Sequence, residues 1–381
     1  MAGVLILGTG LAGYHLARQL RRAPGPPAFE LVTADAGHFY SKPMLSNALA
    51  QGKEPRDLVA VRREAMEAEL GVPVHAHTRV TAIDLEGRRV LAGERVFGFE
   101  RLVLAVGARP RPLDLAGDGA GQVMAVNHLD DYARFRARLA QVRDVAIVGP
   151  GLIGCEFAND LAQAGYRVTV VGPGPEPLGR LLPPELGRLL REALAELGVA
   201  WRLGRQARAL ERAGAGLALV LDDGSTVACG LVLSAVGLAP DTALARAAGL
   251  SCGRGIQVDR HLAASAPGVY ALGDCAEVAG WVLPFVMPIM QAAPALARTL
   301  AGTPTPVTYP AMPVVVKTPA LPLAVCPPPP GQSGTWQVEG GGRDRVARFL
   351  DESGRLWGFA LSGAATRERM ALAKTLPPWL G

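Results

Sequence analysis

The chain has 381 residues, 49% of them hydrophobic, and a formal net charge of +5. This length can bury two or three cores, and the hydrophobic share excludes a disordered chain. No apolar run reaches the roughly 20 residues that span a bilayer, and no signal-type segment opens the chain. We therefore expect a soluble, cytoplasmic protein without membrane insertion.

The positive charge comes almost wholly from arginine, and no basic block interleaved with aromatic residues occurs. The sequence therefore predicts no nucleic-acid partner. A mild positive field can steer an acidic protein partner towards its docking site. The arginine content is equally consistent with a compositional bias that has no functional meaning.

Five cysteines are spread along the chain, namely Cys155, Cys229, Cys252, Cys275 and Cys326. None of them forms a CxxC or CxxxxC pair. An odd number without a framework is typical of a reducing compartment, and packing is the expected role of each. No metal site is predicted.

The first nucleotide-binding signal is Gly8-Thr9-Gly10-Leu11-Ala12-Gly13, which follows the apolar residues 4–7. A helix over 10–22 and a second strand over 29–33 complete a βαβ start. The glycines allow a tight turn and bring backbone amides to a pyrophosphate. Asp35, after the second strand, is placed to bind an adenosine ribose. A turn with glycines for packing alone is the alternative.

The second signal is Gly149-Pro150-Gly151-Leu152-Ile153-Gly154, which follows the apolar residues 145–148. A helix over 153–164 and a strand over 167–171 come next. Glu156 lies on the first helical turn, where the helix amino end stabilises a carboxylate; its sharper role is to bind nicotinamide or its ribose. The strand ends without an acid or an adjacent arginine, which leaves NADH against NADPH weakly determined. We favour NADH, because no basic residue occurs between the end of this strand and Arg180.

Later segments repeat or complete this pattern. Residues 74–83 and 88–91 are expected to be strands, and Asp222-Asp223-Gly224 is a hairpin turn signal. Residues 102–107 and 231–236 are strands that run into proline-containing crossings. A strand over 268–274 ends in Asp274, which can bind a ribityl chain, and a helix near 289–300 follows. The amino end of that helix, near Val286 and Met287, can face an anionic ring. Strands at 335–339, 345–350 and 355–361 and a helix at 364–376 indicate a small terminal domain.

These elements predict an α/β fold of two Rossmann-like, three-layer ββα dinucleotide-binding domains and a small α+β C-terminal domain. The expected domains are 1–110 and 241–318 for the two parts of the first nucleotide domain, 111–240 for the second, and 319–381 for the C-terminal domain. Two dinucleotides side by side indicate electron transfer between them.

Only four lysines occur, and two of them, Lys42 and Lys317, lie in the segments Ser41-Lys42-Pro43-Met44-Leu45-Ser46 and Val316-Lys317-Thr318-Pro319. A lysine retained in an arginine-rich chain indicates a need for a compact ammonium group. Simple solvation of either lysine is the alternative.

Together these motifs resemble the two-dinucleotide-fold flavoprotein reductases, in the FAD-dependent pyridine nucleotide oxidoreductase family. The two lysine segments and Gly154-Cys155-Glu156-Phe157-Ala158-Asn159-Asp160-Leu161 are similar to the bacterial rubredoxin–NAD⁺ reductases of alkane-oxidising systems. The resemblance covers nearly the whole chain. It implies hydride transfer from NADH to FAD and single-electron delivery to rubredoxin, a small acidic iron–sulfur protein, in support of alkane hydroxylation.

The motifs and the resemblance together give the expected site. The residues expected to bind FAD are Gly8, Thr9, Gly10, Leu11, Ala12, Gly13, Ala34, Asp35, Lys42, Val80, Ala105, Asp274, Val286 and Lys317. Those expected to bind NAD are Gly149, Gly151, Leu152, Ile153, Gly154 and Glu156. Lys42, Glu156 and Lys317 are expected to act in catalysis. One departure is Asn47, where the wider oxygenase-coupled reductases often carry a second lysine.

The cysteines separate the subclasses of this family. Disulfide reductases need a CxxxxC motif, and coenzyme A disulfide reductases and single-cysteine peroxidases need a cysteine near Lys42; neither is present. Electrons are therefore expected to leave the flavin directly. Two alternative enzymes with other electron acceptors remain: a ferredoxin reductase of an oxygenase system, or a nitrite-reductase-type flavin module. An NADH-sensing flavoprotein with little turnover is the non-enzymatic alternative.

Overall fold

The first parallel sheet joins strands from distant parts of the chain. In the computed structural model, which describes residues 2–381, this sheet runs Val74–His75, Phe29–Val32, Ala2–Leu7, Arg95–Leu104 and Val269–Ala271. The amino-terminal half of Arg95–Leu104 also pairs antiparallel with Arg89–Ala92, which pairs with Ala82–Asp84. Helices Leu11–Arg22 and Val286–Leu300 pack on the parallel strands and share their core.

A second sheet repeats this plan. Its parallel strands are, in spatial order, Val123–Met124, Leu231–Ser234, Asp144–Val148, Arg167–Gly172 and Ala200–Leu203. A three-stranded antiparallel sheet follows, formed by Ala207–Ala213, Gly216–Leu221 and Thr226–Cys229. The predicted turn over 222–224 joins the last two of these strands.

Alternate side chains on the central strand Asp144–Val148 face opposite layers, as the period of two in a strand requires. Val145 and Ile147 pack with the helices, whereas Ala146 and Val148 pack with the three-stranded sheet. This unit therefore has helix, parallel sheet and antiparallel sheet layers, and the predicted three-layer fold is confirmed.

The remaining helices surround these sheets or link the units. They are Arg63–Leu70, Leu129–Leu139, Leu152–Gln163, Pro184–Glu196, Ala243–Ala247 and Arg369–Ala373, with short 3₁₀ helices at Lys42–Ser46, Pro55–Leu58, Ala120–Gln122 and Gly363–Glu368. Across residues 2–381, every helix is too short or too polar to cross a lipid bilayer.

Further short strand pairs lie outside these sheets, and one of them connects the nucleotide units. Ala108–Pro110 and Leu238–Pro240, the two predicted crossings, pair antiparallel with each other. Phe39–Tyr40 pairs with Val59–Val61, and Ile256–Val258 pairs with Ala276–Val278. The chain therefore leaves the first unit and returns to it through one two-stranded link.

The C-terminal region forms a five-stranded antiparallel sheet in the order Val314–Val316, Leu323–Cys326, Leu356–Ser362, Asp344–Leu350 and Thr335–Gly341. Val314–Val316 thus pairs with this sheet, although the predicted boundary at 318 placed it in the first nucleotide domain. The other domain boundaries stay a prediction.

Two predicted elements are wrong in detail. The strand over 74–83 is interrupted, because His77 has a φ of 50° and its amide donates to the carbonyl of Asp35. The final helix over 364–376 is instead the 3₁₀ helix Gly363–Glu368 and the short helix Arg369–Ala373. There the Ala364 amide donates to the Asp344 side chain, which ties the first turn to the sheet.

Candidate active site

The first glycine turn contains three glycines, and glycine is required at each position for a different structural reason. Gly8 has a φ of 110°, and a Cβ there would overlap the carbonyl oxygen of Ala105. A Cβ on Gly13 would overlap the carbonyl oxygen of Gly8, so this glycine lets the helix approach the turn. Gly10 has no atom within 4 Å of its Cβ position. Its backbone is therefore open to a ligand at the amino end of helix Leu11–Arg22.

The second turn repeats all three features. Gly149 has a φ of 113°, and a Cβ there would overlap the carbonyl oxygen of Ala235. A Cβ on Gly154 would overlap Gly149, and Gly151 again faces open space. Two backbone cradles of one design therefore precede helices Leu11–Arg22 and Leu152–Gln163, which suits two dinucleotides.

A cavity of about 1000 Å³ runs from the first cradle to the second helix. Most of the predicted site residues line it: Gly8, Thr9, Gly10, Leu11, Ala12, Ala34, Asp35, Lys42, Val80, Ala105, Leu152, Ile153, Glu156, Asp274, Val286 and Lys317. The predicted site residues Gly13, Gly149, Gly151 and Gly154 are not among its lining residues. Gly13 and Gly154 instead pack their helices against their turns.

At the far end of the first cradle, the Asp35 carboxylate is held in place by its neighbours. Its Oδ1 accepts hydrogen bonds from Thr33 Oγ1 at 2.8 Å, from the Gly37 amide at 2.9 Å and from Thr9 Oγ1 at 3.3 Å. Its second oxygen is left to a ligand. A fixed acceptor beside the glycine turn matches the position expected for an adenosine ribose.

Lys42 and Asp274 face the middle of the cavity. Lys42 begins the 3₁₀ helix Lys42–Ser46, and burial lowers the pKa of its ammonium while the Asp274 carboxylate opposes that shift. Burial raises the pKa of Asp274, and Lys42 opposes that shift in turn. The cavity thus holds a buried cation and a buried carboxylate beside the first glycine turn, and these residues fit FAD.

The amino end of helix Val286–Leu300 opens on the same cavity. Val286 is 37% exposed, and Phe285 caps the helix without a side-chain hydrogen bond to its first amides. The helix spans four turns, so its dipole places partial positive charge at this end. The arrangement favours negative charge on the cavity side of Val286.

Glu156 brings three regions of the chain together. Its carboxylate is 1% exposed, and Oε2 accepts Ser46 Oγ at 2.6 Å and Lys317 Nζ at 2.5 Å. Oε1 accepts the Lys317 backbone amide at 3.0 Å. The helix of the second unit is thereby joined to the Lys42–Ser46 segment and to the C-terminal sheet. Lys317 is therefore not simply a solvated lysine, because its ammonium already has an anionic partner.

Three polar residues in this cluster were not predicted. Ser46 bonds Glu156, Asp160 accepts the amides of Leu49 and Ala50 at 3.0 and 2.9 Å, and Asn159 Oδ1 accepts the Ala320 amide at 3.1 Å. A signal existed, because positions 156, 159 and 160 share one face of an otherwise apolar helix. Polar side chains on a buried face need partners, and here the partners come from the flanking units.

The thiols of this protein are unsuited to redox work. All five cysteines are free, and Cys155 and Cys275, beside Glu156 and Asp274, are fully buried. Burial raises the pKa of the Cys275 thiol to about 12 and raises the pKa of Cys155 as well. Because the thiolate is the reactive form, burial disfavours a thiol relay at either group.

Comparisons with known proteins agree with this geometry. Residues 2–299 match the family described as pyridine nucleotide-disulphide oxidoreductase, and residues 306–376 match the family described as rubredoxin binding C-terminal domain. The second match begins before the strand Val314–Val316, in keeping with the place of that strand in the C-terminal sheet.

Individual relatives extend over nearly the whole chain. The chain is 44% identical to a rubredoxin-NAD(+) reductase of Alcanivorax borkumensis, covering 99% of both chains. It is 42% identical to a protein of the same name from Acinetobacter baylyi, covering 99% of this chain and 98% of the relative. It is also similar to the crystal structure of the ferredoxin reductase for the CYP199A2 system of Rhodopseudomonas palustris, with a TM-score of 0.89, 28% identity and coverage of 99% and 95%.

Proposed function

The chain belongs with the rubredoxin-NAD(+) reductases in the pyridine nucleotide-disulphide oxidoreductase family, and from that premise we propose that it transfers electrons from NADH through FAD to rubredoxin. FAD, when bound, supplies the change from a two-electron donor to a one-electron acceptor. One observation carries the proposal: a single cavity joins the first glycine cradle, Lys42, Asp274 and the Glu156–Lys317 pair, with no thiol pair beside it.

The first cradle and Asp35 bind the adenosine half of FAD, and Asp274 binds its ribityl chain. Lys42 and the amino end of helix Val286–Leu300 place positive charge where negative charge develops on the ring. These groups are fixed before the reaction, because Lys42 starts a 3₁₀ helix whose last residue, Ser46, is bonded to Glu156. We propose binding roles for the remaining predicted FAD residues on the same basis.

The second cradle binds NADH at the start of helix Leu152–Gln163. Leu152 and Ile153 line the cavity on this side, one turn before Glu156. The buried carboxylate of Glu156 holds the Lys317 ammonium and Ser46 in place, so the side of the cavity that would hold nicotinamide is rigid. We therefore propose that Glu156 orients the reacting groups.

Rubredoxin receives the electrons at the outer side of the cavity. Val286 and Val315 line the cavity and are 37% and 51% exposed, and Val315 belongs to the region that matches the rubredoxin-binding family. The net charge of +5 suits an acidic partner. We propose that this pathway supplies an alkane-oxidising system, and that the protein works in the cytoplasm, where its five free thiols would stay reduced.

Anaerobic stopped-flow spectroscopy tests the proposal. The FAD-loaded protein should bleach on addition of NADH and then reduce rubredoxin much faster than a plant-type ferredoxin. Faster reduction of ferredoxin would instead favour the oxygenase-coupled alternative. A long-lived charge-transfer band without reduction of either iron–sulfur protein would favour an NADH sensor.

A further inference from the structure

Two tryptophans from distant parts of the chain stack beside the cavity. The ring planes of Trp281 and Trp379 are 8° apart, and their centroids are separated by 5.9 Å. Phe285 meets Trp379 edge to face, with 6.0 Å between centroids and an interplanar angle of 83°. Phe285 is among the residues that line the cavity, whereas the two tryptophans are not. The three rings therefore form an aromatic cluster directly behind one wall of the cavity.

Backbone hydrogen bonds hold both tryptophans in place. The amides of Val278 and Trp281 each donate to the carbonyl of the other residue at 2.9 Å. Trp379 donates its amide to the carbonyl of Tyr309 at 2.7 Å, and the Tyr309 amide donates to the carbonyl of Leu380 at 2.7 Å. The Trp379 ring packs against the core of the first nucleotide unit and against the core of the C-terminal sheet. The cluster is thus anchored on both units.

The amino end of helix Val286–Leu300 has no polar cap. Phe285 occupies the N-cap position, where residues such as serine and aspartate are preferred because their side chains accept a first-turn amide. The first turn contains no acidic residue, and Pro288 has no amide proton. The amides of Val286 and Met287 donate to no acceptor within residues 2–381. Their partial positive charge therefore remains available to a ligand in the cavity, which both residues line.

A phenylalanine at the N-cap position must be fixed by packing. A polar cap would fix the helix end but would occupy one of its amides, and an aspartate would also cancel part of the positive charge. The contact between Phe285 and Trp379 supplies the packing instead, because an aromatic pair contributes about 0.5–1.5 kcal/mol beyond the area that it buries. Trp379 itself lies outside residues 2–299 and 306–376, the ranges that match the two families.

We infer that Trp379 is a positioning residue for the flavin site. By packing on Phe285 it fixes the amino end of helix Val286–Leu300 and leaves the amides of that end free to stabilise negative charge on reduced FAD. Trp379 acts through Phe285, because it lies behind the cavity wall and not in it. The inference rests on the proposed function, in which FAD occupies this cavity.

Equilibration of the FAD-loaded protein with a dye that exchanges electron pairs with FAD tests the inference. At a fixed ratio of reduced to oxidised dye, the ratio of reduced to oxidised FAD in Trp379→Leu should be lower than in the wild type by about threefold or more, because the positive helix end loses its fixed position. A smaller decrease would overturn the inference.

Trp336→Leu is the matched control. Trp336 forms a similar edge-to-face pair with Phe349 in the C-terminal sheet, with 5.3 Å between centroids, and neither ring lines the cavity. This variant should keep the wild-type ratio of reduced to oxidised FAD. A decrease equal to that in Trp379→Leu would show that any lost aromatic pair has this effect, and would overturn the inference.

The double variant Phe285→Leu/Trp379→Leu tests whether Trp379 acts through Phe285. If it does, the ratio of reduced to oxidised FAD should fall no further in the double variant than in the more affected of the two single variants. Multiplication of the two single decreases would indicate independent action and would overturn the assigned role.

Trp281→Leu is a milder variant, because it removes the ring stacked on Trp379 but leaves the contact with Phe285. It should lower the ratio of reduced to oxidised FAD about twofold. If Trp379→Leu loses its FAD, an unchanged ratio in Trp281→Leu would overturn the inference. Failure of NADH to bleach the FAD of the wild-type protein would instead contradict the proposed function itself.

Discussion

The Lys317 ammonium lies 2.5 Å from the Glu156 carboxylate, although 161 positions separate the two residues in the chain. The carboxylate is 1% exposed, and the Lys317 side chain is 24% exposed. A buried charge needs such a partner, because its desolvation is otherwise uncompensated. The contact therefore fixes the C-terminal sheet on the helix that begins at the second glycine turn.

Removing the ammonium should destabilise the protein strongly. Lys317→Ala leaves the Glu156 carboxylate buried with only Ser46 and one backbone amide, and we expect a loss of about 3 kcal/mol in the free energy of unfolding. Urea denaturation measures this loss. Lys374→Ala, at an exposed lysine of the same region, should stay within about 0.5 kcal/mol of the wild type.

The double variant Glu156→Gln/Lys317→Met tests the cause of that loss. It removes both charges at once and should recover most of the stability that Lys317→Ala loses. Equal destabilisation of the single and double variants would show that packing, and not the unpaired carboxylate, determines the loss.

Lys42 should give the flavin reaction a pH dependence. Burial lowers its pKa below the ordinary lysine value of 10.5, so its ammonium loses its proton at a pH where an exposed lysine keeps it. The rate of reduction by NADH should therefore fall as the pH rises through this lowered value. Rapid-mixing absorbance measurements across an alkaline pH series provide the test.

Lys42→Met should reduce the rate about 100-fold at neutral pH and abolish this alkaline descent. Lys374→Met serves as the control with unchanged rates. Lys42 also affects the free energy of unfolding. Because the unfolded chain binds the Lys42 proton more tightly than the native protein does, the free energy of unfolding of the wild type should rise as the pH increases from the lowered pKa towards 10.5. An alkaline descent that persists in Lys42→Met would assign it to another group.

The glycines of the first turn should respond differently to alanine. Gly8→Ala forces a Cβ against the Ala105 carbonyl at a φ of 110°, and should lower the stability of the FAD-free protein by about 2 kcal/mol. Gly10→Ala has open space and an ordinary φ of −66°. Gly10→Ala should keep the free energy of unfolding within about 1 kcal/mol of the wild type. It should weaken FAD binding about tenfold, because the added methyl group would lie where the pyrophosphate binds.

Thermal unfolding of FAD-free protein and fluorescence titration with FAD separate the two effects. Equal stability losses in both variants would contradict the different reasons inferred for the two glycines.

Asp160 should position the segment that carries Lys42. Its carboxylate accepts the amides of Leu49 and Ala50, and Asp160→Ala leaves both without this acceptor, at a cost of about 2 kcal/mol. Hydrogen exchange at these two amides should accelerate, whereas exchange in helix Pro184–Glu196 should stay unchanged. Unaltered exchange at Leu49 and Ala50 would refute this role.

Local patterns were sufficient to predict both nucleotide cradles. Residues 4–7 and 145–148 are short apolar runs because buried parallel strands have no polar face. The glycines that follow are needed because a Cβ there would overlap neighbouring backbone atoms. The four lysines in an arginine-rich chain indicated Lys42 and Lys317 as unusual positions. Nothing local revealed that Lys317 pairs with Glu156, because that contact depends on how the C-terminal sheet packs on a distant helix.

Dependence on tertiary packing also explains why the hydrogen bonds of Asn159 and Asp160 were not predicted. Asn159 and Asp160 are ordinary helix-surface residue types, and their partners are backbone amides, which every residue except proline carries. The final helix was predicted too long for a related reason: its sequence has the right periodicity, but the Asp344 side chain captures the Ala364 amide. The polar face at positions 156, 159 and 160 indicates that partners exist, but no sequence pattern identifies which backbone amides those partners are.

The burial of the thiols also bears on chemical resistance. Metal ions and oxidants attack accessible thiolates, so an enzyme that relays electrons through such a thiol is vulnerable to them. In residues 2–381 the five cysteine sulfur atoms are all free thiols, and four of them are buried. Electron supply through this protein should consequently persist in metal-contaminated surroundings where disulfide-dependent reductases are inactivated.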